Sequence, residues 1–168
     1  TLRAGVVRAL LTGDTVLASE IADATWGGFP ADPVVVGLTS AAPDALAAFL
    51  ELRAGREQGS FFFGPDASGG IALVQSAAAP LALDDLAERF DVAIGLSEPT
   101  ALASFAPALE EARIARDRGA GVVRFGDVAS AGVLSTLSPD AASVARTVLL
   151  PIATHDETHG TAILDLAD

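Results

Sequence analysis

Five residue types are missing from this chain: cysteine, lysine, tyrosine, asparagine and methionine. Without cysteine there can be no disulfide, no thiolate nucleophile and no thiolate metal site, a composition that suits a reducing cytoplasm. Without lysine there is no Schiff-base chemistry and no Walker-type phosphate loop. Without tyrosine there is no tyrosyl acid or radical. No apolar run approaches the roughly 20 residues that a membrane-spanning helix needs, and no segment has the charged-then-apolar layout of a secretion signal. Positive charge is scarce as well. The ten cationic side chains are all arginine and face 22 acids, for a net charge of −12. Such a field repels a polyanion unless a basic face is concentrated somewhere. The densest arginine group is Arg113, Arg116, Arg118 and Arg124, and Glu110, Glu111, Asp117 and Asp127 match it, so it reads as a solvated, ion-paired helix face.

What is present is a long apolar inventory, 51% of 168 residues. That is enough for one well-packed domain, or one domain with an appendage. Periodicity predicts a helix over residues 2–12 ended by Gly13, then a second over 15–24 capped by Asp14. PVVVGLTS (33–40) reads as a strand too apolar to have a wet face. A helix near 43–55 follows, with Leu46, Phe49 and Leu50 as its buried stripe. The runs 59–65 and 69–76 flank Asp66-Ala67-Ser68 and predict a hairpin. A short helix at 83–89, a strand at 91–98, a helix from Ser104 to about 118, a strand at 121–128 and a helix near 139–150 complete the order. Pro107 fits in the first turn of the helix that begins at Ser104. Strand-helix alternation with one hairpin predicts an α/β fold, a mixed sheet with helices packed on it.

Candidate sites are few. His155 and His159 bracket Asp156-Glu157, but a zincin needs His-Glu-x-x-His on a continuous helix, and Gly160 weakens a helix there. The stretch reads first as the N-cap of a helix, with Asp156 or Thr158 as cap, and only second as an adventitious metal binder. GPDASGG (64–70) is glycine-rich but joins two strands. RGAGVVRFG (118–126) precedes a strand, the reverse of dinucleotide-binding order. The adjacent acids Asp84-Asp85, Glu110-Glu111 and Asp156-Glu157 diverge around their helices and read as surface. Trp26 reads as a core anchor or a partner contact. On this reading no residue is assigned a catalytic, cofactor-binding or metal-binding role.

The segment VAIGLSEPTALASFAPALEEARIARDRGAGVVRFGDV (92–128) resembles the central region of PucR-type transcription regulators, the group that includes purine-catabolism and carbohydrate-diacid regulators. The likeness lies in Gly95-Leu96-Ser97, Glu111-Ala112 and Arg124-Phe125-Gly126-Asp127-Val128. LLPIATHDETHGTAILDLAD (149–168) is similar to that family's Leu-x-Pro junction with its His-Asp-x-x-His-Gly-Thr stretch, and residues 2–14 resemble its lead-in helix. The resemblance implies a GGDEF-like central domain over 1–150, similar in fold to nucleotide cyclases. Residues 151–168 would then be a junction and the start of a truncated helix-turn-helix module. Cyclases hold Mg²⁺ with acids on the first strand and at the central hairpin. Here Val34–Ser40 carries no acid and Gly64–Gly70 holds only Asp66, so a degenerate domain is expected. The implied function is a non-enzymatic, cytoplasmic signalling or assembly domain of a dimeric regulator, touching DNA only through the missing module. A small-molecule or nucleotide-binding domain, or a residual enzyme, of cyclase fold is the alternative.

Overall fold

The computed structural model describes residues 1–136. These fall into a compact unit, Thr1–Val128, and the beginning of a second, which starts at Ala129. The order in the first is α1 (Leu2–Leu11), α2 (Thr15–Trp26), β1 (Val34–Thr39), α3 (Asp44–Arg56), β2 (Phe61–Pro65), β3 (Ile71–Ser76), α4 (Leu83–Phe90), β4 (Ile94–Leu96), α5 (Phe105–Arg116) and β5 (Val122–Arg124). The helix α6 (Phe125–Thr136) begins at the end of β5.

The strands form one sheet in the order β2-β3-β1-β4-β5. All neighbours are antiparallel except β4 and β5, which run parallel. The segment from β1 to β4 is strand-helix-strand-strand-helix-strand, two interlocked βαβ units known as the split βαβ arrangement. The expected α/β fold with a mixed sheet and one hairpin is therefore what the chain adopts. This topology is shared by unrelated activities, so it sets the scaffold and leaves function to the site.

Strand alternation explains why β1 has no polar face. Val34, Val36 and Leu38 join Phe62, Ala72 and Val74 under α1, α2 and α5, against Val6, Leu10, Ala18, Phe105 and Leu109. Val35 points the other way, with Phe61, Phe63, Leu73, Ile94 and Leu96, under Leu46 and Leu50 of α3 and Leu86 of α4. A side chain such as Phe62, 1% exposed, contributes about 2–3 kcal/mol of transfer free energy. Two glycines let helices approach this sheet. A Cβ at Gly64 would strike Val7 of α1, and one at Gly95 would strike the Ala112 carbonyl and the Arg116 amide of α5.

Local signals hold where they are strongest. Asp14 caps α2 by accepting from the Leu17 amide at 3.1 Å. Gly27 closes that helix in the left-handed region, at φ 81°, which a side chain would resist. Phe49 is half-buried rather than buried and packs on the Phe90 ring at 5.6 Å. Pro107 sits in the first turn of α5. Two expectations need correction. The strand expected over 91–98 is confined to Ile94–Leu96: Asp91 takes a left-handed turn (φ 52°) to end α4, and at Ser97 it is the side-chain hydroxyl that accepts from the Val36 amide of β1. The strand expected over 121–128 stops at Arg124, and Phe125-Gly126-Asp127-Val128 is helical. Asp127 in that first turn complements the positive end of the helix dipole, and Gly126 leaves room for the Glu98 carboxylate, which a Cβ would strike. The helix near 139–150, the His155/His159 stretch and the junction helix lie outside the described residues.

Candidate functional site

The sheet topology brings the end of β1 beside the β2–β3 turn, since Leu38 pairs with Ala72. Those are the two places where the cyclase-like resemblance puts metal-binding acids. The β1 end supplies hydroxyls instead. Thr39 Oγ1 accepts from the Ile71 amide at 2.9 Å and donates to the Ser40 carbonyl at 2.8 Å. Ser40 Oγ accepts from the Ala93 amide at 3.1 Å. Both hydroxyls are committed to the backbone of neighbouring segments, which locks β1, β3 and the lead-in to β4 together.

The turn itself is built around Asp66, whose side chain is 3% exposed. Its backbone amide bonds the Gly70 carbonyl at 2.9 Å and its carbonyl accepts from Gly69 at 3.1 Å. Its carboxylate accepts from the Ser68 amide at 2.8 Å and from the Ser68 hydroxyl. This is the side-chain-to-backbone closure that makes Asp a turn residue. Gly70 then lies against the Thr39 carbonyl, where any Cβ would collide with backbone.

From above, α5 delivers two arginines one turn apart. Arg113 Nη2 stands 3.5 Å from Asp66 Oδ1, while its Nη1 pairs with Glu110 at 2.7 Å. Arg116 bonds the Thr39 carbonyl at 3.3 Å and the Ser68 hydroxyl at 3.4 Å, and pairs with Asp117 at 2.8 Å. Of the ion pairs read from the sequence, Arg113–Glu110 and Arg116–Asp117 form, but these two arginines also clamp the hairpin turn onto the end of β1. Glu111 is used differently again, accepting from the Glu98 amide at 3.1 Å. Burial alone would raise the Asp66 pKa. The hydrogen bonds from Ser68 and Ala67 and the Arg113 charge outweigh it, and the net shift is downward from 3.8. Asp66 is thus an anion neutralised by the fold. Arg113 Nε is buried with no hydrogen-bond partner.

The other residues singled out by sequence separate from this pole. Asp84 and Asp85 are exposed in the first turn of α4. Trp26 ends α2, half-buried, with its ring edge-on to Phe62 at 5.6 Å, in keeping with a core anchor. Ser97 of the Gly95-Leu96-Ser97 motif is buried and structural. Its hydroxyl accepts from the Val36 amide at 3.0 Å and donates to the Glu98 carbonyl at 2.9 Å. Among the described residues no cluster of three or more His, Asp or Glu could hold a metal ion, and no helix is long and apolar enough to cross a membrane.

One functional side chain was missed altogether. Arg3 reads from the sequence as one polar position of a lead-in helix, yet its side chain is only 8% exposed. It wraps the edge of the sheet, donating to both Glu51 oxygens on α3 at 2.7 and 3.0 Å and to the Phe63 carbonyl of edge strand β2 at 3.1 Å. Its guanidinium lies 4.3 Å from the Trp26 ring centre and 3.9 Å from that of Phe63. Occupying an edge-strand carbonyl in this way guards the sheet against strand addition. Comparison with known protein-family models, curated proteins and solved structures finds no match.

Proposed function

We propose that this chain is a non-catalytic signalling and assembly domain of a PucR-like transcription regulator, cytoplasmic, linking an upstream sensor to a downstream helix-turn-helix module. The observation that carries the reading is the pole formed by the β1 end and the hairpin. A cyclase-type centre needs carboxylates there that are free to hold Mg²⁺ against a triphosphate. Thr39 and Ser40 stand at the end of the strand, and the one acid on the turn, Asp66, is consumed by Ser68 and Arg113. The mixed sheet with helices on both faces supports a degenerate cyclase-like scaffold. Retention of such a scaffold without its acids favours a mechanical or interfacial role over turnover.

Incubation with GTP or ATP and Mg²⁺ tests the proposal. No cyclic nucleotide or dinucleotide is expected above the buffer blank. Cyclic dinucleotide that disappears in Asp66→Ala would establish the residual-enzyme alternative.

A further inference from the structure

At the guarded edge of the sheet, α1, α2, α3, β2 and β3 surround a cavity of about 370 Å³, within the range of small-molecule sites. Its walls include Leu2, Trp26, Ala47 and Phe63, with Arg3 and Glu51 as its charged pair. The guanidinium is the buried member of that pair, while the Glu51 side chain is 56% exposed. Arginine carries five N–H donors. Glu51 takes two and the Phe63 carbonyl one, so two of the five have no oxygen acceptor. Trp26 and Phe63 hold the guanidinium plane in place, so the rotamer entropy of a long side chain is already spent.

We propose that this cavity binds a small aromatic carboxylate, its ring in the apolar wall of Leu2, Ala47 and Ile71 and its carboxylate on the unused N–H groups of Arg3. Charge decides the class of ligand. An organic cation would enter beside a buried guanidinium whose counter-ion is already engaged, whereas a carboxylate gains charge-assisted hydrogen bonds in an apolar wall. The site reaches the hairpin at Pro65 and Ile71 but uses neither Asp66 nor the arginines of α5, and it does not depend on the regulatory reading above.

Trp26 is the only tryptophan and there is no tyrosine, so fluorescence reports on the cavity alone. Titration of the intact chain with sodium benzoate at constant ionic strength should give a saturable change with a midpoint of millimolar order. Benzyl alcohol and benzylammonium should bind at least about tenfold more weakly, a discrimination typical of one charge-assisted contact. Arg3→Gln should abolish the preference for benzoate, but it removes a buried ion pair and can fail to fold. Ala47→Phe is therefore the second variant. It adds bulk to the cavity wall while leaving Arg3 and Glu51 in the chain, and should remove binding, with the circular dichroism spectrum retained. No saturation by about 50 mM benzoate would overturn the proposal. So would equal binding of benzoate and benzyl alcohol, or benzoate binding undiminished in a folded Ala47→Phe protein.

Discussion

Replacing Asp66 by alanine removes the carboxylate that closes the β2–β3 turn and leaves Arg113 with Glu110 as its remaining acid. Hydrogen bonds to charged groups contribute about 1.5–3 kcal/mol each when the partner is left unsatisfied. Ser68 is exposed and water can replace its bond, and the Arg113 side chain is 35% exposed, so its Coulombic share is screened. A loss of about 2 kcal/mol is expected, and about half of that for Asp66→Asn, which keeps an acceptor for the Ser68 amide. The pH dependence has a definite sign. A carboxylate whose folded pKa is depressed contributes fully above its unfolded value, close to 3.9, and the contribution is lost as pH falls through the folded value. The stability gap between native protein and Asp66→Ala should therefore be constant from about pH 5 to 8 and close below about pH 4. Urea unfolding followed by Trp26 emission measures it. Equal stabilities at pH 7, or a gap unchanged at pH 3, would refute the view of Asp66 as a structural anion. A Mg²⁺-induced rise in the unfolding midpoint that vanishes in the variant would identify it as a metal ligand instead.

Gly95→Ala should be more damaging, because its Cβ would collide with the Ala112 carbonyl and Arg116 amide of α5, and backbone cannot rotate away. A cost of about 3 kcal/mol is expected, read as a fall in melting temperature of roughly 10 °C for a chain of this size. The chain should show no sub-micromolar, sequence-dependent binding to duplex DNA in fluorescence anisotropy at about 100 mM salt, where phosphate contacts still count. If the reading of a dimeric regulator holds, light scattering should find a dimer that is lost on truncation after Pro151. A monomer at about 100 micromolar in both would remove the dimer.

Local chemistry explains which parts of the fold were legible. The Asp14 cap, the Gly13 stop and the Asp66-Ala67-Ser68 turn depend on residues within three or four positions of one another, and all stand where the sequence places them. The all-apolar run in β1 signalled burial on both faces, which the two core clusters account for. The failures are long-range. The lengths of β4 and β5 depend on what their neighbours can pair, and among the described residues β5 has only β4 beside it, over Val122–Arg124. At the helical start, Gly126 lies against the Glu98 side chain, nearly thirty residues away in sequence. Arg3 could not be told from a solvent-facing arginine because its partners lie 48 and 60 residues further along the chain. For the same reason Arg113 and Arg116 looked like surface charges until the hairpin was folded beneath them.

These three arginines suggest a reason why a chain with no lysine keeps them. Each is asked for several directed bonds at once: Arg3 to a carboxylate, a carbonyl and two ring faces, Arg113 to two carboxylates, Arg116 to a carbonyl, a hydroxyl and a carboxylate. A planar guanidinium can meet such demands with little further loss of side-chain freedom, whereas an ammonium is a strongly hydrated point charge. The arginines' partners Glu51, Glu110 and Asp117 stay largely exposed, and the ten arginines leave a net charge of −12 unmet. A partner that meets this surface by charge should therefore be basic. An anionic ligand is better received where a guanidinium is held inside an apolar wall, as Arg3 is at the edge of β2.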